Sequence, residues 1–137
     1  MPRTLAISGT HGTTFGGSPL ACAIGYHILG RLSEETFIRT LKDNSGYLKE
    51  RLEQMTKWFP NTIQSGIRGR GLILGIGFHD ESLPSKMVSL ARERGVLVLT
   101  AGKDAVRLVP SLNVGKNEVD FAADVLESCL GVVENSK

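Results

Sequence analysis

The sequence is poor in the residues that announce most specialised chemistries. Its two cysteines, Cys22 and Cys129, lie far apart and lack metal-ligand spacing. That excludes a disulfide scaffold or zinc ribbon, and each reads as a small buried residue within an apolar helical pattern. Three histidines, His11, His27 and His79, share no ligand spacing, so no metal site is expected. His11 is read as shaping its loop, His27 as packed or hydrogen-bonded in mid-helix, and His79 as a surface residue at a strand end. No apolar run approaches the roughly 20 residues that a membrane helix needs. The stretch Met1 to Ser8 does not make a signal peptide. Charge is nearly balanced, with 16 Lys+Arg against 14 Asp+Glu and a formal net charge of +2. Both signs are interspersed, which leaves no footprint for nucleic acid or an anionic membrane. A soluble intracellular chain is expected, and its 41% hydrophobic content suffices for a core.

What is plentiful is glycine, 16 residues of it, and it punctuates a clear order of elements. Residues 1–17 read as a strand remnant and a glycine-rich loop. A Ser18-Pro19 pair then opens a helix through Leu20–Leu29 that is apolar on nearly all sides, as a helix buried in something larger would be. Ser33 is expected to cap a long second helix, with Glu34 and Glu35 complementing its dipole. Phe37, Leu41, Leu48, Leu52, Met55 and Phe59 trace one face of it up to Pro60, with Trp58 and Phe59 read as helix-end core. Ile63–Arg68 and Leu72–Phe78 read as a hairpin turning at Gly69-Arg70-Gly71. Pro84 opens a shorter helix that Gly95 ends. Val96–Leu99 is expected as a buried strand, Ala101–Asp104 as a turn and Val106–Val109 as a further strand. A last helix starts near Gly115, with Val119, Ala122, Leu126, Cys129 and Val133 on one stripe. Four short strands with helices on one side predict an α+β architecture. A composition break near Leu32 divides the chain into 1–31 and 32–137.

Three stretches hold side chains suited to chemistry. His11-Gly12-Thr13-Thr14-Phe15-Gly16-Gly17-Ser18 sets hydroxyls and glycines before a helix N-terminus, an arrangement suited to an anion. Arg68 and Arg70, in Ile67–Gly75, read as structural and are expected to pair with local acids. Arg107, in Val106-Arg107-Leu108-Val109-Pro110-Ser111-Leu112, stands on a short apolar strand and needs a partner. Its planar fork suits either a substrate carboxylate or an internal salt bridge.

These stretches together resemble the class III aminotransferases that use pyridoxal phosphate (PLP), acetylornithine aminotransferases among them. The likeness extends over essentially the whole chain, with Ser18 where the family more often has Asn and Ser111 where it commonly has Pro. It implies the small C-terminal domain of the type I PLP-transferase fold over 32–137, a short and mainly antiparallel sheet covered by helices. It implies a tail of the large PLP-binding domain over 1–31. Thr14 then matches the hydroxyl that binds the PLP phosphate held by the neighbouring subunit, and Thr13 lies beside phosphate and substrate. Arg107 matches the arginine that grips the substrate's α-carboxylate. None of the seven lysines, including Lys103, matches the family's Schiff-base lysine, which would precede Met1, so no catalytic residue and no covalent PLP attachment are expected here. The implied function is the C-terminal part of an enzyme moving the amino group of N-acetylornithine to 2-oxoglutarate in arginine biosynthesis. That enzyme would be a homodimer with shared sites, in the cytoplasm or mitochondrial matrix, and this chain alone would be inactive. The alternatives are a fragment of an ornithine, succinylornithine or 4-aminobutyrate aminotransferase, or a non-catalytic binding module derived from the small domain.

Overall fold

A computed structural model describes residues 12–135; the expected N-terminal strand remnant and His11 lie outside the described residues. The elements run α1 (Pro19–Leu32), α2 (Glu35–Trp58), β1 (Ile63–Arg70), β2 (Ile73–Phe78), α3 (Leu83–Glu93), β3 (Leu99–Ala101), β4 (Ala105–Leu108) and α4 (Lys116–Glu134). Internal packing divides the chain into two units, one up to Ile38 and one from Arg39 onward.

The first unit centres on α1. The Ser18 hydroxyl accepts from the Ala21 amide at 3.4 Å and Pro19 sits at the start of the helix, where its missing N–H costs nothing. At the far end Ser33 does not cap α2 as expected. Its backbone N–H and its hydroxyl both donate to the Leu29 carbonyl, at 3.0 and 2.8 Å, so Ser33 closes α1. Glu34 takes the cap position of α2, where its carbonyl accepts from the Ile38 amide. The apolar character of α1 does not lead to burial within this chain, because no residue of α1 is buried. Cys22 and His27 are accordingly exposed, against the expectation of a buried Cys22 and, of the two readings given for His27, against the packed one.

The second unit is built on a four-stranded antiparallel sheet in the order β1-β2-β4-β3. Period-2 alternation sends Leu74, Ile76, Val106 and Leu108 to a core face that Leu52, Met55, Met87 and Leu126 complete. The helices are the partners that the stripe of α4 calls for, although Ala123 and Leu130 join that stripe and Ala122 is only partly buried. Arg51 of α2 faces three carboxylates of α4: Asp120 at 3.2 Å, Asp124 at 2.8 Å and Glu127 at 3.6 Å. Burial pushes the Glu127 carboxyl above its ordinary range, with Arg51 opposing that shift.

Three local expectations are corrected. The hairpin turns at Gly71-Leu72, one step later than read, because Gly69 and Arg70 stay in the ladder opposite Leu74 and Ile73. Gly71 at φ 62 followed by a residue of negative φ is the arrangement of a type II′ turn. Val96–Val98 is not a strand; β3 begins at Leu99 and is an edge strand. Burial alternates along this segment, with Val96 and Val98 inward and Leu97 outward, since only one side of it meets the core. Trp58 is 57% exposed, while Phe59 packs partly against the core.

Candidate functional site

The expected site residues fall on two places, the loop before α1 and the sheet face turned away from the core. In the loop, Thr13 and Thr14 are exposed. Gly16 lies so near Thr13 that a Cβ on it would run into the threonine methyl, and Gly17 adopts φ 84. The Ser18 amide donates to the Phe15 carbonyl at 3.2 Å, which closes the turn. Glycine is needed at both positions, once for close approach and once for backbone sign. The result is a tight turn with two hydroxyls on its surface, a donor set that suits a phosphate.

The open sheet face carries the arginines. Register places Arg68 opposite Gly75, Gly75 opposite Arg107 and Arg107 opposite Leu99, so one row crosses all four strands. Residues paired across a ladder project to the same side, which brings Arg68 and Arg107 to either side of a bare glycine. Their surroundings differ. Arg68 holds Asp104 in a two-pronged grip, Nη1 to Oδ1 at 3.1 Å and Nη2 to Oδ2 at 2.7 Å, and also donates to the Gln64 side-chain oxygen. Gln64 donates to the Phe78 carbonyl at 2.7 Å and to Asp104 at 3.3 Å. The backbone joins in, since the Phe78 amide donates to the Asp104 carbonyl at 2.7 Å. The Arg68 guanidinium holds the Asp104 carboxyl below its ordinary range.

Arg107 is exposed and has no ion pair or hydrogen-bond partner for its side chain among the described residues. Of the two fates open to it on sequence, an internal salt bridge is not formed among the described residues. Arg70, at the turn end of the hairpin opposite Ile73, likewise has no acid paired with it among the described residues. Sequence reasoning passed over Asp104 and Gln64, seeing one as a turn residue and the other as a strand residue. A signal existed for Asp104: an acid three residues before Arg107, in the turn that enters β4.

The turn after Arg107 is also braced. Ser111 donates to the Asn113 side chain at 2.5 Å, the Val114 amide to the Ser111 carbonyl at 3.1 Å, and Asn44 of α2 to the Val114 carbonyl at 2.7 Å. Every described lysine is exposed, Lys103 in the β3–β4 turn included. None sits in an apolar enclosure of the kind that activates an amine for attack on a carbonyl cofactor. No cluster of metal-binding residues occurs among the described residues, and no helix there is long and apolar enough to cross a membrane.

The family model for Aminotransferase class-III matches residues 2–130. The chain is 38% identical over 125 residues to the mitochondrial acetylornithine aminotransferase of Saccharomyces cerevisiae, covering 91% of this chain and 29% of that protein. The mitochondrial acetylornithine aminotransferase of Candida glabrata is 41% identical over the same shares. Among solved structures, the lysine aminotransferase from M. tuberculosis matches with a TM-score of 0.81 and 29% identity, over 93% of this chain and 29% of that one. The N-acetylornithine aminotransferase from Stenotrophomonas maltophilia matches with a TM-score of 0.75 and 27% identity, over 87% and 33%. The chain thus spans less than a third of the length of the curated relatives it matches.

Proposed function

This chain belongs to the class-III aminotransferase family, and from that premise we propose that it forms the C-terminal part of an acetylornithine aminotransferase. The assembled enzyme would pass the amino group of N-acetylornithine to 2-oxoglutarate. The amino-donor assignment rests on the acetylornithine enzymes among the curated relatives. The family is PLP-dependent; when bound, that cofactor supplies an electron sink for the carbon bearing the amino group.

The residues of this chain take binding roles in that scheme. Thr13 and Thr14 contact the phosphate, in a site completed by another subunit, with Thr13 also beside the substrate. Arg107 takes the α-carboxylate through its two parallel N–H donors, which fit a carboxylate better than a lysine point charge does. Arg68 keeps Asp104 neutralised, so the carboxylate nearest to β4 in sequence does not compete for Arg107. The proton-moving base and the covalent anchor come from residues outside 12–135. The observation that carries this reading is the guanidinium of Arg107 in an inner strand, unpartnered among the described residues and separated only by Gly75 from an arginine that is fully paired.

A chimera tests it. Residues 1–137 would replace the matching segment of a complete acetylornithine aminotransferase, and the chimera is expected to transaminate. Arg107→Ala in it should raise KM for both carboxylate substrates by about tenfold to a hundredfold. An inactive but folded chimera, or an unchanged KM for 2-oxoglutarate, would count against the proposal. Mixed alone with stoichiometric PLP and then reduced with borohydride, the 137-residue chain should show no lysine adduct by mass spectrometry. A second reading, a non-catalytic module, draws support from the self-contained core of the second unit. The bare apolar face of α1 speaks against it, since free-standing domains rarely leave such a surface uncovered.

A further inference from the structure

The strands of the sheet contain four glycines, and three have an evident reason to be glycine. Gly66 and Gly69 of β1 adopt φ 84 and 106, a backbone sign that side chains resist. Gly77 of β2 lies under the Arg68–Gln64 cluster, where a Cβ would come within 2.7 Å of the Gln64 side-chain oxygen. Gly75 has neither reason. Its φ is not positive, and a Cβ there would meet Arg68 Cβ at 3.7 Å and the Val106 carbonyl oxygen at 3.8 Å, both ordinary contacts. Glycine inside a strand weakens it, and it is found where a ligand or another backbone comes close. The three atoms nearest to a Cβ built there belong to Arg68 and Val106, none to the Arg107 side chain. Yet Gly75 is the direct ladder partner of Arg107, on the same sheet face.

We propose that Gly75 is a specificity-determining residue: its missing side chain leaves the floor against which the carboxylate end of an amino acid or 2-oxo acid lies when Arg107 holds it. The inference rests on the carboxylate role given to Arg107 above. It adds that the fold gives up strand stability at Gly75 to keep that floor open. Any side chain here would stand between the ligand and the sheet and lift the carboxylate off the line of the guanidinium fork. Gly75→Ala and Gly75→Val should therefore fold, and the β-branched variant should be at least as stable as the parent.

The test is a titration of the chimera described above with 2-oxoglutarate, following by NMR the selectively labelled Arg107 Nε–H and residue-75 amide, alongside thermal melts. In the parent both signals should move together, and Arg107→Ala should abolish the movement at residue 75. Gly75→Ala and Gly75→Val should weaken binding progressively, by about tenfold per added carbon or more, at unchanged or raised melting temperature. Two results overturn the inference in distinguishable ways. If the parent shows no movement at Arg107, the carboxylate reading itself fails and takes this proposal with it. If Arg107 responds in the parent and both glycine variants bind as well as it does, the reading stands and Gly75 has no part in it. A Gly75→Val variant whose affinity and melting temperature fall together, with Gly75→Ala unaffected in both, would assign the glycine a packing role only and equally overturn the proposal.

Discussion

Helices α1 and α4 invert the usual relation between composition and burial. α1 is the more apolar of the two and buries nothing, whereas α4 carries charges on one side and buries six residues, Val119 to Val133. The difference lies in what each has to pack against. α4 has an amphipathic stripe matched to a sheet face and to α2 and α3 within its own unit, so its apolar side chains leave water. α1 spreads apolar residues around its circumference and has no such match among the described residues; Leu20, Ile24 and Tyr26 are 71%, 54% and 83% exposed. Hydrophobicity is a demand for a partner, and burial is the demand met.

The sharpest way to break this comparison uses the two cysteines, one on each helix. Cys22 is exposed and should react at once with a thiol reagent. Cys129 is fully buried, with burial pushing its thiol upward, and should stay unreactive until denaturant opens the fold. Equal labelling rates would show α1 covered or α4 open. Next in size is a pair of truncations followed by chemical denaturation. Leu126→Ala should cost about 2–5 kcal/mol through transfer and cavity terms, while Ile24→Ala should stay within about 0.5 kcal/mol. Smaller still is Ser18→Ala. It removes the N-terminal side-chain cap of α1 and should cost about 1 kcal/mol of local helix stability, read by hydrogen exchange of the first turn and leaving α4 amides unchanged.

The smallest effect is a pH dependence in the second unit. Asp104 titrates below its ordinary value because Arg68 grips it, so the pairing stabilises above a pH of about 4 and is lost as pH falls through the lower folded value. Asp104→Asn should flatten that part of the acid limb of a melting-temperature profile. An unchanged limb would show that the clamp on the open sheet face adds nothing to the fold.

Much of this was legible in the chain. The order of elements, the α+β class, the antiparallel hairpin and the stripe of α4 all follow from periodicity, because period 2 and period 3.6 leave distinct marks in the spacing of Leu74, Ile76, Val119 and Leu126. Boundaries were less legible where one residue type serves two ends. Ser33 looks like a helix opener, yet its hydroxyl is better used on the Leu29 carbonyl, since Leu32 has already ended α1. Gly69 and Gly71 both permit a turn, and only the ladder, which retains Gly69, decides between them. Val96–Leu99 misled because four apolar residues in a row suggest burial on both sides, and an edge position buries only alternate ones. Of the candidate site, Arg107 stood out as a charge in an apolar strand. Asp104 and Gln64 did not, because their partner Arg68 is 36 and 4 residues away in sequence and only the fold brings all three together.

One contact bears on how the second unit comes into being. Thr62, just before β1, is fully buried, and its hydroxyl donates to Glu134 at the end of α4, 72 residues further along. In a chain made from the N-terminus that hydroxyl is first answered by water, and its carboxylate partner becomes available only once α4 has emerged. The start of β1 is thus tied to the last helix of the unit, a contact across 72 residues that only a finished chain can make.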